Sequence, residues 1–313
     1  MRAVAGADRS GRVEAVGEAV RRGLSEHGLN RSLLLRRIGR IAHPRRSELR
    51  AWALAGHGPL AMLTALAVRR LERGVLRIPQ GHAGGIVLDM RHLPLSHAHF
   101  GSLAYGNLES AVQEAMVRHL GQGGVFYDIG ANLGFFALLG AHLVGAEGRV
   151  YAFEAAPDNA EAIAANARLN SCANVEVIAK AVASRAGRGR LQVVDDQSWS
   201  KLEDYGEHPY TESVIEIELV AIDELLEAGR LRPPTLVKID VEGAELAVLE
   251  GMRATIERHR PAIVCELHGT HREFVAFMEG CGYRLINLEG TIPVADEGAS
   301  AHALALPALH PGD

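Results

Sequence analysis

The run Val125-Phe126-Tyr127-Asp128-Ile129-Gly130-Ala131-Asn132-Leu133-Gly134 constrains this chain more than any other stretch. Val125 to Tyr127 are three large residues in succession, the pattern of a short strand buried on both faces. Asp128 sets a carboxylate at the end of that strand. Gly130 and Gly134 bracket a tight turn, and Phe135 to Leu139 begins an apolar helix. Strand, glycine turn and helix in this order predict an open α/β sheet with a ligand crevice at the carboxyl ends of its strands.

The turn departs from the dinucleotide fingerprint G-x-G-x-x-G. The third glycine is absent, and Asp128 stands where a phosphate would be repelled. A carboxylate there suits a ligand with a positive or hydrogen-bond-donating group, such as the ammonium of S-adenosylmethionine. About twenty residues on, Val150-Tyr151-Ala152-Phe153 reads as a second buried strand ending in Glu154, an acid able to accept both hydrogen bonds of a ribose diol. The competing reading is that Asp128 and Glu154 only cap the turns that follow them. The repetition of an acid at two strand ends favours the ligand role.

The remaining chain continues the alternation of strands and helices that builds a mostly parallel sheet. Pro157 starts a helix to about Asn170, and Asn174 to Ala179 is a third strand. Ala181-Val182-Ala183 forms a small apolar patch suited to an adenine ring. Leu191–Val194 and Val214–Val220 read as a hairpin. Between them, residues 195–213 make a polar, aromatic loop with Trp199, Lys201, Tyr205, His208 and Tyr210, longer than a plain connection needs and readable as a substrate lid or as surface loop. Thr235 to Asp240 is a fourth strand with a terminal carboxylate. A helix is expected from Gly243 to about His259, then a fifth strand, Pro261 to Cys265, leading to Glu266 and His268. Phe274–Gly280 reads as a helix, Tyr283–Leu288 as a sixth strand and Leu304–Leu306 as a last one, in a tail expected to fray from Ala295.

Upstream, residues 1 to about 80 read as helical, with a proline-started helix over Leu60–Leu71. Residues 1–50 hold twelve arginines against five acids, the composition of a solvated helical face or of a dock for an acidic partner. His92, His97 and His99 cluster in a loop without the carboxylate or cysteine pattern of a metal site. Tyr105 precedes a helix, Ser110–Leu120, that can flank the cofactor mouth.

A net charge of −5 over 313 residues argues against nucleic acid as a partner. Cys172, Cys265 and Cys281 are too scattered for a disulfide framework, and read as reduced, buried thiols of a cytoplasmic protein. Ala51 to Val68 is interrupted by Gly56-His57-Gly58-Pro59 and cannot span a membrane. Nothing at the N-terminus resembles a signal peptide. Oligomeric state is not legible.

The strand ends gather Asp128, Glu154, Asp240, Glu242, Glu266 and His268 along one edge. Methyl transfer from a sulfonium to a hydroxyl requires alignment of donor and acceptor and removal of a proton. His268, titrating near neutrality, is the leading base, with Asp240 second and Glu242 beside it. Lys238 could serve only with a depressed pKa, and alternation puts it on the face of Asp240, where it would pair with an acid. Asp240, Glu266 and His268, with Glu242, also make a possible divalent-metal set, but metal-free chemistry is preferred.

These residues resemble one family. Val125–Gly134 with Phe153-Glu154, the segment Leu219–Leu226, the motif K-I-D-V-E-G-A-E at Lys238–Glu245, and Ile263–His268 are similar to the FkbM-type S-adenosylmethionine-dependent methyltransferases, over roughly Leu103 to Leu288. The resemblance implies a class I, Rossmann-like fold with a mostly parallel seven-stranded sheet, placed over residues 86–313; the helical pattern upstream makes residues 1–85 an N-terminal helical extension outside the resemblance. It implies S-adenosylmethionine as donor and a hydroxyl acceptor on a natural product, sugar or glycolipid. Asp128, Gly130, Ala131, Asn132 and Gly134 would shape the donor turn, and Glu154 would hold the ribose. Asp240 would lie near the methionine end; Ala155 beside the ribose acid, Val182 in the apolar patch and Tyr105 before the flanking helix are further candidates to line the cofactor by their place in the chain. Ala155-Ala156 departs from the family's frequent proline and polar pair. The competing classes are a donor-binding relative without catalysis and a nucleotide-dependent oxidoreductase on a similar sheet.

Overall fold

The computed structural model describes residues 74–89, 106–194, 201–206, 211–298 and 301–308. Residues 1–73 of the expected extension, the three clustered histidines, Tyr105, and Trp199, His208 and Tyr210 of the polar loop lie outside the described residues.

The described chain opens on a hairpin, β1 (Val75–Arg77) against β2 (Val87–Asp89). α1 (Ser110–His119) leads to β3 (Val125–Ile129), α2 (Phe135–Val144), β4 (Arg149–Phe153), α3 (Pro157–Leu169) and β5 (Val175–Ile178). A second, smaller sheet follows, made of β6 (Ala181–Val182), β7 (Gly187–Val194), β8 (Lys201–Leu202) and β9 (Thr211–Val220). The chain then runs through α4 (Ile222–Glu227), β10 (Leu236–Ile239), α5 (Glu245–Glu250), α6 (Arg253–His259), β11 (Ala262–Leu267), α7 (His271–Gly280), β12 (Tyr283–Asn287) and β13 (Ala301–Pro307).

Seven strands form the main sheet in the order β12-β13-β11-β10-β3-β4-β5. All run parallel except β13, which is antiparallel to both of its neighbours. The central strands are continuous apolar runs because helices cover both faces. Phe126, Val150, Leu236, Val264 and Leu304 face α1, α2 and α3, which contribute Met116, Phe136 and Ile163. Tyr127, Phe153, Ile239, Ile263 and Ala303 face the other layer, with Ile222, Val248, Ile256 and Phe274. Successive strands go outward from β3 on one side and from β10 on the other. That reversal is where an α/β sheet opens a crevice.

Three local expectations change. The boundary drawn between residues 85 and 86 falls inside the β1–β2 hairpin, whose Val87 and Asp89 amides donate to Asn170 and Asn166 at the end of α3. The helix expected from Gly243 to His259 is two, α5 and α6, parted at Gly251-Met252. The tail expected to fray contains β13, which is buried along almost its whole length between β11 and β12. Low side-chain patterning there reflects burial on both faces, which removes alternation. The β7–β9 hairpin forms, with Leu191 opposite Ile215. The cysteines are free thiols, and Cys172 is only half-buried.

Gly140 in α2 shows how tightly the layers meet. A Cβ on it would lie 2.4 Å from Cδ1 of Phe126, a ring with no exposed surface. Alanine is favoured over glycine in a helix by about 1 kcal/mol, yet overpacking a closed core costs ~1–3 kcal/mol. Gly140→Ala is therefore expected to lower the urea midpoint rather than raise it, and an unchanged or higher midpoint would show that Phe126 can move aside.

Candidate active site

One polar row crosses an otherwise apolar face of the sheet. Asp128 of β3 and Lys238 of β10 are partners in register, and so are Glu266 of β11 and His302 of β13. Period-two alternation puts all four on the side of α1, α2 and α3. Asp240, just beyond β10, completes the row. The ammonium of Lys238 is 2% exposed, donates to Asp240 Oδ2 at 2.8 Å and lies 4.7 Å from the ring centroid of Phe136. Burial works against its charge, but Asp240, Glu109 and Asp128 outweigh it and hold the pKa well above that of a free lysine. Lys238 is thus a fixed cation and no base, in agreement with its expected pairing with an acid.

The glycine turn is fastened from one side. Gly130 and Ala131 both donate their amides to the Phe153 carbonyl at 3.0 Å. The Glu154 carboxylate accepts from the Asn132 amide at 2.8 Å and from the Ala156 amide at 2.9 Å. Gly130 has φ +82°, and a Cβ there would stand 1.9 Å from the Asp240 carbonyl oxygen. Only glycine lets β3 and β10 approach this closely at the reversal point. Gly134, also at positive φ, begins α2.

Among the described residues, the expected cofactor positions can be placed; Tyr105 lies outside them. Glu154 does cap the turn, the competing reading above, but two accepted bonds leave lone pairs free on a carboxylate. Burial pushes its pKa up to about 7, against the lowering effect of the Ala156 and Asn132 amides. Asp128 was expected to meet a ligand directly. It is instead 1% exposed, with the Ala137 amide at the start of α2 as the backbone donor on its side. Burial raises its pKa to about 7, with Lys238 pulling the other way. Asp240 is the neighbouring strand-end acid with open surface, its side chain 28% exposed. Ala155 is half-buried beside Ala156 and Leu191. Val182 is buried in the core with Phe153 and Val220, which leaves it little surface to offer an adenine.

The expected catalytic residues do converge. His268 Nδ1 lies 2.8 Å from Oε1 of the fully buried Glu245, whose other oxygen accepts from the Thr270 hydroxyl at 3.0 Å. Its Nε2 lies 3.6 Å from Glu266 and 3.7 Å from Glu242. Burial disfavours the imidazolium, but the Glu245 and Glu266 contacts raise its pKa to about 10. His268 is therefore cationic at neutral pH, contrary to its expected role as a base. Burial raises Glu242 to about 7, with His268 opposing and Asp240, Glu266 and Glu245 adding to the rise. The conditional metal set, Asp240, Glu266 and His268, brings its ligand atoms within 4.8 Å of one another.

Sequence reading missed Glu245, Glu109 and His302. Glu245 lies inside the quoted motif and opens α5, where nothing local marks it as the partner of His268. Glu109 and His302 are 193 positions apart, and only the antiparallel register of β13 brings them together.

Fold and site together define a class I, Rossmann-like methyltransferase architecture. The family model described as the methyltransferase FkbM domain matches residues 128–285, and the chain belongs to that family. It is 30% identical over 145 residues to the hexuronic acid methyltransferase AglP of Haloferax volcanii, covering 46% of this chain and 56% of that protein. It is 28% identical to the 31-O-demethyl-FK506 methyltransferase FkbM of Streptomyces tacrolimicus, covering 64% of this chain and 90% of that protein. Among solved structures it is similar to a methyltransferase FkbM of Methylobacillus flagellatus, at 14% identity and TM-score 0.43, covering 86% of this chain and 57% of the other. Among the described residues, no helix is long and apolar enough to cross a membrane.

Removing one partner of a buried ion pair costs ~3–5 kcal/mol because the other charge is left uncompensated. Lys238→Met keeps the stem and deletes the charge, leaving Asp240, Asp128 and Glu109 facing one another. It is expected to lose that much stability in urea unfolding at pH 7.5. A loss under 1 kcal/mol would mean that the acids are protonated or solvated without the lysine.

Proposed function

We propose that this chain transfers a methyl group from S-adenosylmethionine to a hydroxyl of a small molecule or glycan. The observation that carries the proposal is the acid-lined reversal point of the sheet. There a glycine turn, tied by Glu154, lies against Asp240 at the ends of adjacent strands. The names of the two relatives, one for a hexuronic acid and one for 31-O-demethyl-FK506, support a sugar acid or another small-molecule oxygen as the class of acceptor.

The residues fit the donor. An excess of carboxylates, with Asp128 buried among them, favours a cationic ligand over an anionic dinucleotide. Glu154 has acceptor capacity for a ribose diol. Asp240, anchored by Lys238 and partly open, is the acid placed to face the ammonium of the methionine part. When bound, the donor supplies an electrophilic methyl on a sulfonium.

The acceptor hydroxyl must lose a proton as its oxygen attacks. We assign proton acceptance to Glu242, whose raised pKa brings it near the operating pH, where general bases work best. His268, clamped by Glu245, is a positioning residue: its charge lowers the Glu242 pKa that burial raises. Because Glu242 acts ionised, turnover rises with pH through about 7 and then levels.

Thermal shift tests the donor. S-adenosylmethionine and its demethylated product should raise the melting temperature, and nicotinamide dinucleotides should not. A shift with the dinucleotides alone would overturn the reading. Glu154→Ala should weaken donor binding ~10- to 100-fold, the loss of charge-assisted hydrogen bonds worth ~1.5–3 kcal/mol. Glu242→Gln should lower kcat by ~10²–10⁴ with little change in donor affinity. His268→Ala should move the acidic limb of the pH–rate profile upward. An unmoved limb would remove His268 from the proton-transfer scheme.

A further inference from the structure

A second cluster sits at the same sheet edge, on β11 and β13; it shares Glu266 with the site above, but the proposed chemistry uses neither Glu109 nor His302. His302 of β13 is 7% exposed. Its Nδ1 contacts the Glu289 carboxylate at 2.6 Å. Its Nε2 points the other way, 3.2 Å from Glu109 Oε2 and 3.4 Å from Glu266 Oε2. Neither Nε2 nor Glu109 Oε2 makes a hydrogen bond of acceptable geometry, although both are buried. These buried atoms stand at ion-pair distance from one another.

We propose that Glu109, Glu266 and His302 form a site for a divalent first-row transition metal, with Glu289 orienting the histidine. The ligand atoms of Glu109, Glu266 and His302 all lie within 4.8 Å of one another. Nitrogen and oxygen ligands bound at about 2.0–2.2 Å around a tetrahedral or octahedral ion stand about 3.0–3.5 Å apart, which matches the two separations at Nε2. A histidine that ligates through one nitrogen ordinarily gives the other N–H to a carboxylate, and Glu289 occupies that position. One imidazole with two carboxylates suits manganese, iron, cobalt or zinc, whereas magnesium and calcium prefer oxygen alone.

The backbone supports the same reading. Glu109 is the N-cap of α1, where a glutamate could turn back onto the helix amides. It has φ 43° and ψ 56°, a left-handed conformation uncommon outside glycine, and makes no side-chain cap. Its carboxylate is directed at His302 instead. The ion would tie the start of α1 to β11 and β13. It would also fix Glu266, whose other oxygen faces His268. Lys238 lies on the same side, but Asp240 bonds its ammonium directly.

The test needs neither methyl donor nor acceptor, so its result stands apart from the methyl-transfer reading. Chelator-stripped full chain is titrated with Co²⁺ at pH 8, following heat and visible absorption. One equivalent should bind, with ligand-field bands and a higher melting temperature, and a tenfold excess of Mg²⁺ should not displace it. His302→Asn and Glu109→Gln should weaken binding tenfold or more. Glu289→Gln, which leaves all three ligands in place, should weaken it ~10- to 100-fold, as loss of an outer partner does. Asp240→Asn should leave stoichiometry and spectrum unchanged. Circular dichroism establishes that each variant is folded, and Glu289→Gln serves if His302→Asn is not. Absence of binding at 1 mM Co²⁺ would identify a proton-bridged ion-pair cluster and overturn the proposal. So would binding that survives in His302→Asn but is lost in Asp240→Asn, which would place the ion on Asp240, Glu266 and His268.

Discussion

A single buried ammonium holds the centre of this molecule together. Lys238 lies in the middle strand of the main sheet, and its charge is shared among Asp240, Asp128 and Glu109. Each of these acids stands on a different element: the end of β10, the end of β3 and the start of α1. Coulomb attraction at low dielectric is strong enough to keep such groups charged together, and removing the cation would leave their repulsion unopposed. The backbone contact at Gly130 is the steric counterpart. It draws β3 and β10 together at the level where the lysine draws their side chains together.

The lysine also leaves the site short of positive charge. Counting Asp128, Glu154, Asp240, Glu242, Glu245 and Glu266 against Lys238 and His268, the acids are in clear excess. Burial of that excess raises Asp128, Glu154 and Glu242 to about 7, where ligand or proton can settle each of them. A cationic ligand is the natural complement. The two histidines answer the same field: each has one nitrogen on a carboxylate and the other turned toward Glu266.

Much of this was legible in the chain. Continuous apolar runs ending in acids marked β3, β4 and β10, because buried parallel strands have no polar side to show. The spacing of Lys238 and Asp240, two apart, puts them on one face of a strand. What remained hidden depends on long-range register. His302 lies in a stretch that is buried on both faces and so lacks a period, and no local pattern says that it will stand beside Glu266. The protonation of His268 was hidden for a related reason. Its pKa follows from Glu245, 23 positions away, whose buried carboxylate clamps the ring in the imidazolium form. The depth of Asp128 was also out of reach, since a strand-end acid can turn outward or lie under the next helix.

The position of β13 has a consequence for assembly of the chain. It runs between β11 and β12, so these two strands cannot meet; each must wait for a partner that arrives after both. Until β13 docks, β11 keeps one unpaired edge. Long-range pairing of this kind is slow and exposes edges meanwhile. A strand from another copy could occupy that edge, which makes domain exchange through Ala301–Pro307 a misassembly this topology invites.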